Sequence, residues 1–91
     1  MAAGGAAAAA AAIAQAIKAS GVLVRVEPLE FLKILRKASD PLVVAATGGV
    51  FSKNYQYLMS YKGLAFYTKS PEPLSMPNTA EVVVAGRIWI P

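Results

Sequence analysis

Ala6 to Ala12 is an unbroken run of alanine, set in a first stretch, Met1 to Ala19, that holds twelve alanines, two glycines and no acid. Alanine leads the helix propensities because it gives up no side-chain entropy and buries no polar group. A segment of this kind is committed to helix yet carries few large side chains with which to hold anything. Gly4 and Gly5 precede the run and suit a frayed start; Gly21 follows Ala19 and Ser20 and suits a stop. The sequence predicts a helix from Ala6 to Ala19, with Lys18 in the last turn complementing the helix dipole. Ile13 and Ile17, one turn apart, share a face with Ala6, Ala9 and Ala10, and Gln15 and Lys18 lie on the other side.

Four uses of such a helix compete. A secretory signal peptide has a small-residue cleavage site, which Ala14-Gln15-Ala16 matches, but it also has a positive opening region, and no Lys or Arg precedes Lys18. The expected location is therefore cytoplasmic or membrane-associated rather than secreted. A membrane span uses about twenty strongly apolar residues. The uncharged run here is seventeen residues long, and alanine contributes little to insertion. Small residues do let membrane helices pack closely, so several copies can gather where one inserts poorly. A helix that packs in water, against a partner or copies of itself, is the leading expectation, and a low-complexity tail is the bland one. The packing residues expected on either the aqueous or the membrane reading are Ala9, Ala10, Ile13, Ala16 and Ile17.

Ninety-one residues allow one small domain plus this segment. The expected division is residues 1–20 for the helix and 21–91 for a small domain. A core of that size often needs a staple. The chain has no cysteine and no histidine, so no disulfide is available, and no metal or cofactor site is expected. Self-association or docking on a membrane remains. Charged residues are only 15% of the chain against 56% hydrophobic, which leaves little polar surface for solvent. The formal net charge of +4 is mild, and its bases are spread along the chain.

Past Gly21 the pattern predicts an α+β domain: a strand, a helix, then four mostly antiparallel strands in a two-layer arrangement. Val22, Val24 and Val26 alternate on one face of the first strand. Glu27-Pro28 opens a helix to Ala38, with Phe31, Ile34, Leu35 and Ala38 toward the sheet and Leu32 at the flank. Leu42 to Thr47 is apolar on both faces, as in a strand covered on both sides. Gly48-Gly49 marks a turn before Val50 to Tyr61. In that strand Phe51, Lys53, Tyr55, Tyr57, Met59 and Tyr61 form a face expected to be buried, and Ser52, Asn54, Gln56, Leu58, Ser60 and Lys62 one expected to be wet. Lys62-Gly63 turns into a strand from Leu64 to Lys69. Ser70 to Asn78, with three prolines, reads as a stiff loop. Glu81 to Ile90 closes the chain, with Gly86 marking a bend. A sheet apolar on both faces needs a second cover. The alanine helix folding back, or another subunit, can supply it over Val43, Val83 and Ala85.

Enzyme motifs are missing. Without Cys or His, neither a Cys/His pair nor a Ser-His-Asp triad can form. The five acids are scattered, with Glu27 and Glu81 the pair that folding would have to unite. Thr47-Gly48-Gly49 lacks the Gly-Lys-Ser/Thr ending of a phosphate loop. The expected role is a non-catalytic, homo-oligomeric structural or assembly protein with an option on the membrane. The alternative is a single-stranded nucleic-acid module that stacks bases on Tyr55 and Tyr57 and contacts phosphates through Lys53, Lys62 and Lys69. Trp89 suits a core or an interfacial position.

Overall fold

The structure is a computed structural model and describes residues 5–47 and 54–86. Its elements are α1 (Gly5–Ala19), β1 (Leu23–Arg25), α2 (Pro28–Lys37), β2 (Leu42–Thr47), β3 (Tyr55–Tyr61), β4 (Leu64–Ser70) and β5 (Glu81–Val84). This is an α+β fold. The strands form one mixed sheet in the order β1-β4-β3-β2-β5. β3 is antiparallel to both its neighbours, β4 and β2, whereas β1 is parallel to β4 and β5 is parallel to β2. Four strands therefore point one way and β3 alone points the other.

Local chemistry explains the elements that were easiest to read. Pro28 occupies the first turn of α2, where its missing N–H costs no hydrogen bond. The Phe31 N–H donates to the Glu27 carbonyl, and the Ala38 N–H donates to the Leu35 carbonyl as the backbone turns extended. Phe31 and Leu35 are fully buried against Val43, Tyr57 and Met59, with Ile34 and Leu32 packed beside them. At the β3–β4 turn Lys62 (φ 51°) and Gly63 (φ 78°) both take left-handed conformations. That is the two-residue hairpin geometry whose twist matches the flanking strands. Gly21 packs on this turn: a Cβ there would lie 2.8 Å from the Gly63 carbonyl oxygen.

The proline-rich segment 71–80 is a crossover. It leaves β4 at one end of the sheet and starts β5 at the other, where the Glu81 N–H donates to the Pro41 carbonyl. On the way Leu74, Met76 and Ala80 pack into the core beneath α2. The Leu74 N–H donates to the Tyr57 hydroxyl oxygen at 2.9 Å, which ties the crossover to the middle of the sheet. A crossover of this length between parallel strands more often contains a helix; three prolines prevent one here.

α1 supplies a third layer. Ala10, Ala14 and Ile17 are buried in one cluster with Val44, Ala46, Leu58, Ala65, Tyr67 and Ala85, and Ile13, Leu23 and Val83 pack at its margin. Alanine on both helix and sheet lets the two backbones approach closely. Ser20 closes the helix, its Oγ donating to the Ile17 carbonyl at 2.8 Å. Among the described residues no helix is long and apolar enough to cross a membrane.

Several expectations change with this third layer. Leu58, placed on a wet face by its Ser, Asn and Gln neighbours, is fully buried beneath α1, while Ser60 near the strand end is exposed. Leu23, expected opposite the apolar face of β1, also lies under α1, and Val22 is exposed. Val43 does not share a surface with Val83. Val44 pairs with Val83 and both belong to the α1 side, whereas Val43 belongs to the α2 side. Phe51 and Lys53, the Gly48-Gly49 turn and Arg87 to Pro91 lie outside the described residues.

Candidate functional site: an open sheet edge beside an apolar groove

The side chains singled out on α1 divide by helical phase. Ala10 and Ile17 are buried and Ile13 is half-buried, all on the chain's own sheet; Ala9 and Ala16 face outward. Ala14, buried to 2% exposure between the two isoleucines, completes the packing face and was not singled out. An all-alanine wheel gives no edge to that face, so only the isoleucines indicate its direction. The helix surface that the sequence offers for packing is thus largely occupied within the fold.

The described members of the Tyr/Lys set do not converge on one surface. Tyr57 is buried under α2, its ring centroid 6.1 Å from that of Phe31 and its hydroxyl engaged by Leu74. Tyr55 is half-buried on the same side. Lys69 pairs with Gln56 on the opposite, α1 side of the sheet. Lys62 stands at the far end of the hairpin, its Nζ 5.4 Å from the Tyr61 ring centroid. Lys53 lies outside the described residues. Base stacking along a sheet requires adjacent exposed rings on one face, and Tyr55 and Tyr57 do not present them.

The acids stand apart as well. Glu27 follows β1 at one edge of the sheet, and Glu81 opens β5 at the other edge and at the other end. Among the described residues no group of three His, Cys, Asp or Glu could hold a metal ion.

What the geometry does assemble is an unfinished edge. β5 is outermost and pairs on one side only, with β2. Its outer backbone groups have no strand partner among the described residues. Val82 and Val84 project on one face with 38% and 68% of their surface exposed, and Val83 projects on the other, toward α1. β5 carries no proline, no lysine and no bulge in its pairing with β2; its protections are its length of four residues and the charge of Glu81 at its start. Beside Val84 lies an open groove of about 320 Å³, lined by Ala45, Tyr55, Tyr57, Pro73 and Thr47 among others. Its floor is β2 and β3, and the start of the crossover forms one wall. The tyrosine rings and alanine methyls make it apolar. No sequence signal marked this place, because an edge is a product of strand order. Comparisons with protein-family models, with curated proteins and with solved structures give no match for this chain.

Proposed function

We propose that this chain is a non-catalytic assembly module, and that it associates with copies of itself by pairing β5 against β5 of a second copy. The observation that carries the reading is the exposed, uncharged valine pair on an edge strand whose outer backbone has no strand partner among the described residues. A two-fold axis perpendicular to the sheet makes that edge self-complementary: β5 and its copy run antiparallel, and whatever contact one residue makes across the axis is made again, reversed, by its copy. The strand order would then continue across the axis into a ten-stranded sheet, twice the five strands of one copy.

The expected strength follows from burial. Val84 is 68% exposed, so full burial recovers about two-thirds of the ~2 kcal/mol that a buried valine contributes. Symmetry doubles this to about 3 kcal/mol. The pairing adds a few main-chain hydrogen bonds worth about 1 kcal/mol each, set against a substantial cost of association. A four-residue edge therefore implies a concentration-dependent dimer. Light scattering on the full chain should show a mass rising from 9.5 kDa toward twice that value between about 1 μM and about 1 mM. Val84→Lys should weaken association on the order of 100-fold, with like charges added near the axis. A strict monomer across that range, or a dimer indifferent to Val84→Lys, would end the reading.

A further inference from the structure

The sheet has a second unusual place, at the end opposite the groove, and it is independent of the β5 edge. The register gathers four segments there. Val22 precedes β1, and its carbonyl accepts the Ala65 N–H. The β3–β4 turn places Tyr61, Lys62 and Leu64 alongside, with Gly21 packed on the Gly63 carbonyl. Both helices end at this level, α1 bringing Lys18 and α2 bringing Arg36 and Lys37. Lys62, Arg36 and Lys37 are exposed, and so are Val22 and Leu64, at 66% and 37%. Asp40 and Glu81 are the acids at this end. The opposite end holds Glu27, Glu30 and Glu72 with Arg25 and Lys69, so among the described residues the bases are concentrated at the hairpin end.

Lys62 is an outlier in backbone conformation. Its φ of 51° lies in the left-handed region, where asparagine or glycine is the ordinary choice. A lysine held there at the tip of a rigid hairpin, over a tyrosine ring, sits at a conformational disadvantage that an asparagine would not have. Around it, exposed aliphatic side chains alternate with bases and a half-buried tyrosine.

We propose that this end of the molecule docks on a bilayer surface bearing anionic headgroups, with Val22, Tyr61 and Leu64 at the interfacial level and Lys62, Arg36 and Lys37 against the headgroups. Charge complementarity selects the anionic surface, and each base near such a surface adds independently to binding. The exposed aliphatics select a bilayer over a nucleic acid, because they gain by entering the headgroup boundary, and tyrosine favours that boundary. The contact is peripheral: the docking elements are a hairpin tip and two helix ends.

Co-sedimentation of the full chain with vesicles tests this. Binding should be strong to phosphatidylcholine vesicles containing phosphatidylserine, weak to phosphatidylcholine alone, and should fall as salt rises. Lys62→Asn should lower the partition coefficient about fivefold while easing the turn, so lost binding cannot be attributed to lost folding. Leu64→Ser, which changes no charge, should also weaken binding. Arg25→Gln at the opposite end should leave it unchanged. Indifference to phosphatidylserine, equal losses from Arg25→Gln and Lys62→Asn, or binding to a single-stranded oligonucleotide in place of the vesicles would overturn the proposal.

Discussion

Replacing Ala14 by leucine asks whether α1 is a structural layer, and the structure fixes the expected size of the effect. Ala14 is 2% exposed and sits in the cluster with Val44, Leu58 and Tyr67, of which the first two are fully buried. A leucine adds three carbons where the helix has no free surface. Overpacking of a well-filled core costs about 1–3 kcal/mol. The upper end, about 3 kcal/mol, applies here, because the sheet beneath cannot retreat without disturbing α2 on its other face. In a chain of this size that lowers the melting temperature by roughly 10–20 °C. Ala16→Leu is the matched control, since Ala16 is exposed on the same helix and leucine is nearly as good a helix former. It should change stability by less than about 0.5 kcal/mol. Urea unfolding followed by circular dichroism separates the two. Equal tolerance of both substitutions would mean that α1 does not rest on the sheet. Damage from Ala16→Leu with Ala14→Leu neutral would mean that the helix is rotated by about half a turn from the face described.

Two other substitutions probe the opposite layer. Tyr57→Phe removes the acceptor of the Leu74 N–H; it should cost about 1–2 kcal/mol and speed amide exchange at Leu74, both absent if the crossover is held by packing alone. Thr68→Val should stabilise by about 1 kcal/mol, because the buried Thr68 hydroxyl has no hydrogen-bond partner among the described residues; a lower urea midpoint would refute that.

The legible parts of the fold were those set by neighbours in sequence. Pro28 followed by Phe31, Ile34 and Leu35 defines α2 and its buried side without reference to the rest of the chain. Lys62-Gly63 specifies a hairpin, and three prolines between Ser70 and Asn78 rule out a regular element. The double apolarity of Leu42 to Thr47 correctly indicated cover on both faces. Strand order was not legible. That β1 lies against β4 and β5 against β2 depends on long-range packing, which short apolar strands leave undetermined. The site was hidden for the same reason. Val82 and Val84 in an apolar run read as interior residues, and only their place outside β2 makes them an exposed pair. The phase of α1 was half legible, since Ile13 and Ile17 point to the sheet side but alanines at every flanking position erase its limits. Leu58 was misplaced because polar neighbours on its face suggested solvent, whereas α1 covers its centre.

The central claim is that the alanine helix belongs to the cooperative core, so that its apolar face is spent on the chain's own sheet and the proposed association falls to a sheet edge, β5. Native-state hydrogen exchange tests it most directly by comparing the Ala14 and Ile17 amides with those of Leu58 and Met59 at the centre of the sheet. If α1 opens only with the whole domain, the two groups exchange with similar opening free energies. Exchange of the α1 amides near the rate of an unstructured peptide, with the sheet still protected, would contradict the account.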